Sequence, residues 1–216
     1  MTRLQQLVVT GAALLVIMWL MPGSPPQVVS TASGLATAFQ PLRGLESQPV
    51  LAAAAAPLFK PGQLNVQGPP TISVEQIEAV LAEYNSPARG YGRVFYELGL
   101  RYNINPAVAL AFFVHESGAG SAPNWAGRKP DGSTTHNVGN IICTPGWRCH
   151  GRFRDYDSWE QGIEDWYKLI NDLYIGEWQR TTVEEIIPRY APAADNNDEA
   201  AYIQSVRDMV QRWQGR

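Results

Sequence analysis

Charge and cysteine are both scarce in this sequence. Only 17% of its 216 residues are charged and two are cysteines, against a hydrophobic share of 45%. That balance lies in the globular range and excludes a wholly disordered chain, a collagen and a coiled coil. The length suits one domain with extensions or two very small ones, and no internal repeat is visible. Acidic residues are nearly missing from the first 70 positions, where Glu46 stands alone beside Arg3, Arg43 and Lys60. Removing these from the totals of 17 basic and 20 acidic residues leaves 14 and 19 after residue 70, a net of -5 for the folded part. Nucleic-acid binding relies on neutralising phosphates, so no nucleic-acid partner is expected. The pair His115-Glu116 lacks the second histidine of a His-Glu-x-x-His zinc site, and no metal or organic cofactor is expected.

One apolar run does stand out. Arg3 and the amino terminus precede Leu7 to Met21, which carries no charge. A basic start followed by such a run is an export signature. Its length of about 15 residues lies between a signal-peptide core and the ~20 that span hydrocarbon comfortably. No small-x-small cleavage site follows closely, since Ala36-Thr37-Ala38 is distant and Gly23-Ser24 runs into two prolines. Residues 1–21 therefore read as an uncleaved signal anchor, with a cleaved signal peptide as the alternative. Either way the rest of the chain is expected outside the cytoplasm: at the cell membrane by a single pass, or secreted. Residues 22–70, rich in proline and containing the run Ala52–Ala56, read as a spacer.

Residues 71–216 read as a mainly helical (α+β) domain. Ser73 and Gln76 form a capping-box pattern ahead of Val74, Ile77, Val80, Leu81 and Tyr84 at helical spacing. A second helix is expected from about Tyr91 to Tyr102. Asn105-Pro106 opens a third, ended by Gly118 and Gly120. Ser121 to Asp157 has little helical character, and the runs Asn140–Cys143 and Gly151–Tyr156 suggest a small hairpin sheet. Ser158 with Gln161, and Thr182 with Glu185, repeat the capping pattern. A last helix from about Asp198 would bury Tyr202, Val206, Met209, Val210 and Trp213.

Glu116 lies one turn beyond Phe112 and near a helix C-terminus. Apolar neighbours and the helix dipole would both raise its pKa, as a general acid of glycoside cleavage requires. The residue alone is equally readable as a solvated glutamate. Cys143 and Cys149 enclose Pro145-Gly146, and in an exported chain they read as a disulfide. The competing metal site, from His136, Cys143, Cys149 and His150, matches no zinc spacing. Trp125, Trp147 and Trp159 in or near the insert are candidates to stack on sugar rings. Arg128, Lys129, Arg148, Arg152 and Arg154 make the insert locally basic, which suits an anionic partner or simply a solvated face.

Four stretches carry a family resemblance. Ala109 to Gly118 resembles the A-x-x-x-E-S-G helix end of lysozyme-fold muramidases and glucosaminidases. His136-Asn137-Val138-Gly139-Asn140-Ile141 is similar to the N-N-x-x-G/N-I stretch of the glycoside hydrolase family 73-like glucosaminidases, related to mannosyl-glycoprotein endo-β-N-acetylglucosaminidases. Arg152 to Ser158 resembles their F-R-x-Y-x-S strand, and Tyr190 to Tyr202 their Y-A-x-D-x-x-Y segment. The pieces keep the family order over roughly 95–213. The family's N-L-F-G-I has become Asn-Val-Gly-Asn-Ile, and the G-L-M-Q stretch of lytic transglycosylases has no counterpart.

The resemblance implies a lysozyme-like fold with a hairpin insert and a peptidoglycan hydrolase cutting N-acetylglucosaminyl bonds, with Glu116 as acid. Its partners would be the glycan strands and, through the N-terminal segment, the membrane. Asp131, Asp155 and Asp157 are available as a second carboxylate; no motif fixes the choice, and Asp155 is the candidate. Asn140, Tyr156, Tyr202 and Trp125 are expected to bind substrate, and Tyr202 is equally readable as core. Two alternatives stay open: a lytic transglycosylase using the same glutamate, and a wall-glycan-binding module that has lost catalysis.

Overall fold

The computed structural model describes residues 60–215. The expected signal anchor and most of the spacer lie outside the described residues. Among those described, no helix is long and apolar enough to cross a membrane.

Six α-helices carry the domain: α1 (Val74–Glu83), α2 (Gly92–Tyr102), α3 (Pro106–Ser117), α4 (Trp159–Lys168), α5 (Val183–Tyr190) and α6 (Glu199–Gln214). The strands β1 (Cys149–His150) and β2 (Phe153–Arg154) form the only sheet among the described residues. The centre is α3, whose residues Pro106 to Val114 are all buried, because its sequence is apolar on every face. It packs against α2 and α6, and α2 packs in turn against α1 and α4. Phe112 is the hub of an aromatic cluster, with Trp166, Tyr190 and Tyr202 rings 5.2, 5.1 and 5.5 Å away. Each large side chain so buried contributes about 1.5–3 kcal/mol.

Most caps work as the sequence suggests. Ser73 and Gln76 exchange both bonds of a capping box, and Asn105 accepts from the Ala107 amide with Pro106 at the first helical position. Gly118 ends α3 in the left-handed region at φ 59°. Ser158 caps α4, but Gln161 reaches back to the amide of Asp157. Thr182 makes no side-chain cap to α5; its hydroxyl donates instead to Gln63 Oε1 at 2.8 Å, and Glu185 accepts from the Thr181 amide.

That contact belongs to a set that ties residues before position 71 to the helical domain. Asn65 bridges Thr182 and Gln67 bridges Ile104, each antiparallel, with Val66 1% exposed between them. The Val66 amide and carbonyl bond to Thr181 and Asn105, and Lys60 pairs with Glu185. This stretch satisfies backbone groups of two distant loops, so it belongs to the folded unit.

The hairpin is shifted from the two expected runs. Cys149 pairs with Arg154 and His150 with Phe153, across a turn at Gly151-Arg152, and Gly151 has φ 57°. Ile142 bridges Phe153 from the other side, so the Asn140–Cys143 run flanks the second strand. The Cys143–Cys149 disulfide ties the two flanking segments together, Cα to Cα 5.8 Å. After α4 the helix widens into a π-helical stretch, Leu169–Glu177, that no sequence pattern announced. It buries Ile170 and Tyr174 and turns Leu169 and Leu173 toward the cleft described next.

Candidate active site

A cleft of about 520 Å³ runs between the hairpin and the α4–α5 side of the domain, and Glu116 lies on it. One wall carries Ile142, Arg152 and Phe153; the other carries Leu173, Arg189 and Tyr190. A second depression of about 580 Å³, around His115 and Ser205 between α3 and α6, does not include Glu116.

Three side chains determine the state of the Glu116 carboxyl. The Tyr202 hydroxyl bonds Oε1 at 2.5 Å, and Asn140 Nδ2 donates to Oε2 at 2.8 Å. The same Asn140 nitrogen donates to the Glu116 carbonyl at 3.1 Å, closing the end of α3. Behind it, Trp125 Nε1 donates to Asn140 Oδ1 at 2.8 Å. An indole nitrogen is only a donor, so Asn140 must turn its oxygen to Trp125 and its amino group to Glu116. Oε2 is thereby held as an acceptor, and a proton on this carboxyl belongs to Oε1, on the Tyr202 side. Asn140 reaches this place because asparagine tolerates the left-handed backbone it adopts, φ 46°.

Burial raises the Glu116 pKa, and the Tyr202 and Asn140 hydrogen bonds only partly oppose it. Tyr202 is pushed well above its ordinary value, first by burial and then by Glu116, so it stays a neutral hydroxyl. Its ring is sandwiched between Phe112 and His115, the latter 3.7 Å away centroid to centroid. His115 also bonds Ser205 at 3.1 Å. Tyr190, unassigned from the sequence, donates to the Gly139 carbonyl at 2.5 Å and braces the loop that presents Asn140.

Tyr202 is core, 4% exposed, and its hydroxyl bonds the Glu116 carboxyl. Three other candidate residues stand off the cleft. Asp155 does not line the cleft. Lys129 and Arg148 hold it at 2.8 and 3.0 Å; burial pushes its carboxyl up, but these two cations outweigh that and leave its pKa lowered. It locks the insert. Tyr156 is 3% exposed and donates to Asp165 Oδ2 at 2.6 Å, where Arg154 also pairs at 2.7 Å, so it is a strut beneath the hairpin. Trp125 is 5% exposed and packs on Trp159, 6.3 Å between centroids, so its role toward the site is to orient Asn140. Trp147 and Trp159 are likewise off the cleft. The disulfide is formed, and among the described residues no group of His, Cys, Asp and Glu is arranged to hold a metal.

The Trp125–Asn140 bond makes a prediction. Trp125→Phe keeps the packing but frees the Asn140 amide to turn. The expected result is a fall in kcat of about tenfold, the worth of one hydrogen bond to the reacting group, with KM within about twofold. Steady-state kinetics checks it, and an unchanged kcat would show that Asn140 needs no such anchor.

No curated protein sequence matches the chain. Among solved structures, S. aureus Autolysin E in complex with the muropeptide NAM-L-Ala-D-iGlu superposes with a TM-score of 0.54 at 15% identity, over 70% of each chain. A catalytic mutant of Autolysin E in complex with the disaccharide NAG-NAM gives 0.54 at 14% identity, again over 70% of each. At that identity the likeness is one of fold, a mainly helical domain with a two-stranded sheet, consistent with the lysozyme-like architecture. A glucosaminidase family model, described as mannosyl-glycoprotein endo-beta-N-acetylglucosaminidase, matches residues 92–214, more than half of the chain and all of the site, and the chain therefore belongs to this family of glycosidases.

Proposed function

We propose that the domain is an extracytoplasmic peptidoglycan hydrolase that cuts N-acetylglucosaminyl bonds with Glu116 as general acid. The observation that carries this reading is a carboxyl on an open cleft whose pKa burial raises, and whose one oxygen is held as an acceptor by Asn140. Such a group binds its proton more tightly than an ordinary carboxyl and can deliver it from Oε1 to the leaving sugar oxygen. Tyr202 takes up the resulting anion by donating to the same oxygen. The N-acetyl group of the substrate can then serve as nucleophile toward the anomeric carbon, so the acid step needs no second protein carboxylate. The muropeptide and the NAG-NAM disaccharide held by Autolysin E support peptidoglycan as the polymer cut.

The export signature of residues 1–21 supports a domain tethered outside the cytoplasm, and the Cys143–Cys149 disulfide suits an oxidising compartment. Digestion of purified peptidoglycan by the full chain, with mass spectrometry of the products, tests the reading. Fragments ending in reducing N-acetylglucosamine, lost in Glu116→Gln, are expected. Anhydro-muramic ends would make it a lytic transglycosylase, and no release from any wall type would leave a binding module.

A further inference from the structure

The cleft is basic although the domain is acidic. Three arginines line it, Arg152, Arg154 and Arg189, while residues 71–216 hold 14 basic against 19 acidic side chains. Arg154 is neutralised by Asp165 at 2.7 Å and its guanidinium lies over the Trp147 ring at 4.2 Å. Arg152 and Arg189 are different. Both are exposed, and among the described residues neither guanidinium makes an ion pair; Arg128 and Arg180 also make none, but they bond carbonyls away from the cleft. Arg152 extends over the Phe153 ring at 5.5 Å, itself a cleft residue, and Arg189 comes from the last turn of α5 on the opposite wall. Apart from Glu116 the only carboxylate on the lining is Asp195, which pairs with neither.

Two exposed cations that line one groove without a counter-ion make it positive, and an anionic group entering the groove is attracted there. Resting on the peptidoglycan reading above, we infer that Arg152 and Arg189 form an anion subsite that binds carboxylates projecting from the glycan strand. Guanidinium forks match carboxylates in bidentate geometry. A bare N-acetylglucosamine polymer offers none. A peptidoglycan strand offers two kinds: the carboxyls of the attached peptides and, on a muramic acid that carries no peptide, the free lactyl carboxylate, which is otherwise tied up as an amide. The pair therefore sets substrate class: it favours a carboxylated strand over a neutral one.

The test compares the full chain with Arg152→Gln/Arg189→Gln on three soluble substrates: strands with intact peptides, strands stripped by an amidase to the lactyl carboxyl, and a neutral N-acetylglucosamine oligomer. KM for the intact strands is expected to rise about tenfold, one charge-assisted contact's worth, and at least fivefold more than KM for the oligomer, with kcat within twofold. Arg152→Lys/Arg189→Lys should recover part of the loss, which a misfolded variant would not. A rise on intact strands alone assigns the peptide carboxyls, because there the lactyl carbonyl is an amide, and a rise on both strand types shows that the pair takes the freed lactyl carboxylate as well. Equal changes on strands and oligomer would overturn the inference while leaving the hydrolase reading in place. A wild-type chain that cuts the neutral oligomer and no strand would overturn both. Strand binding to Glu116→Gln, with and without the arginine changes, gives the affinity separately from turnover.

Discussion

Glu116→Gln should lower kcat by about two to four orders of magnitude, the usual contribution of a positioned proton donor, with a small change in KM. The site accommodates the amide without rearrangement. Asn140 is held by Trp125 with its amino group toward position 116, so glutamine must present its oxygen there. Its amino group then faces the Tyr202 hydroxyl, which can accept as well as donate. A folded variant with a filled site and no transferable proton is the expected product. Wild-type activity should fall on the alkaline side as the carboxyl ionises, at a pH above the ordinary carboxylate value of 4.5 because burial raises this group. A wild-type turnover that kept rising with pH through neutrality would remove Glu116 from the role of acid.

The same substitution should stabilise the protein, in a pH-dependent way. A carboxyl whose pKa is raised on folding binds its proton more tightly in the native than in the unfolded state. Stability therefore falls as pH rises from the unfolded pKa through the folded one. The amide of Glu116→Gln has no such proton to lose. The variant's melting temperature should exceed that of the wild type at pH 7, with the gap closing as the pH drops toward 4.5. Thermal unfolding between pH 4.5 and 8 measures it. A gap that widened toward acid would mean that Glu116 is held as an anion, as in a structural ion pair.

Local features of this domain were legible in the sequence and distant pairings were not. The cap of α1, the Asn105-Pro106 start and Gly118 end of α3, and the buried face of α6 are each written within a few residues. So is the placement of Glu116 one turn past Phe112. The packing of residues 63–67 onto the domain was hidden because Asn65 and Gln67 find their partners 117 and 37 positions away, within a stretch whose prolines continue the composition of the spacer. Asp155 looked as available as any insert carboxylate; its locking cations lie 26 and 7 positions upstream. Trp125 read as a sugar platform because indole faces suit sugars, whereas the fold uses its nitrogen. Arg189 gave no signal at all, since a basic residue in the last turn of a helix is ordinary; only the cleft shows that it lines the same groove as Arg152.

Gly162→Ala should be among the most destabilising single-methyl changes in the domain. Helix propensity argues the other way, since alanine in a helix interior is favoured over glycine by about 1 kcal/mol. Position 162 lies buried in the first turns of α4, and an added Cβ would sit 1.8 Å from the His136 carbonyl oxygen, 2.8 Å from its carbon and 3.2 Å from the Tyr156 ring. The obstacle is backbone that cannot withdraw freely. His136 is in the left-handed region at φ 54° and its ring bonds the Tyr156 carbonyl at 2.8 Å. Next to it the buried Asn137 amide binds the Ile141 and Arg154 carbonyls and the Ile141 amide, all within 3.0 Å. Relief must come from parting α4 from this loop, at a cost of about 3 kcal/mol or more, which outweighs the propensity gain. The melting temperature should drop by about 5–10 °C, given ~2–4 °C per kcal/mol in a domain of this size. The loop that would move also carries Asn140, so kcat measured well below the melting temperature should fall too, with Glu116 itself untouched. A variant as stable as the wild type would mean that the His136 loop yields, and that Asn140 is not held to the carboxyl by the packing of α4.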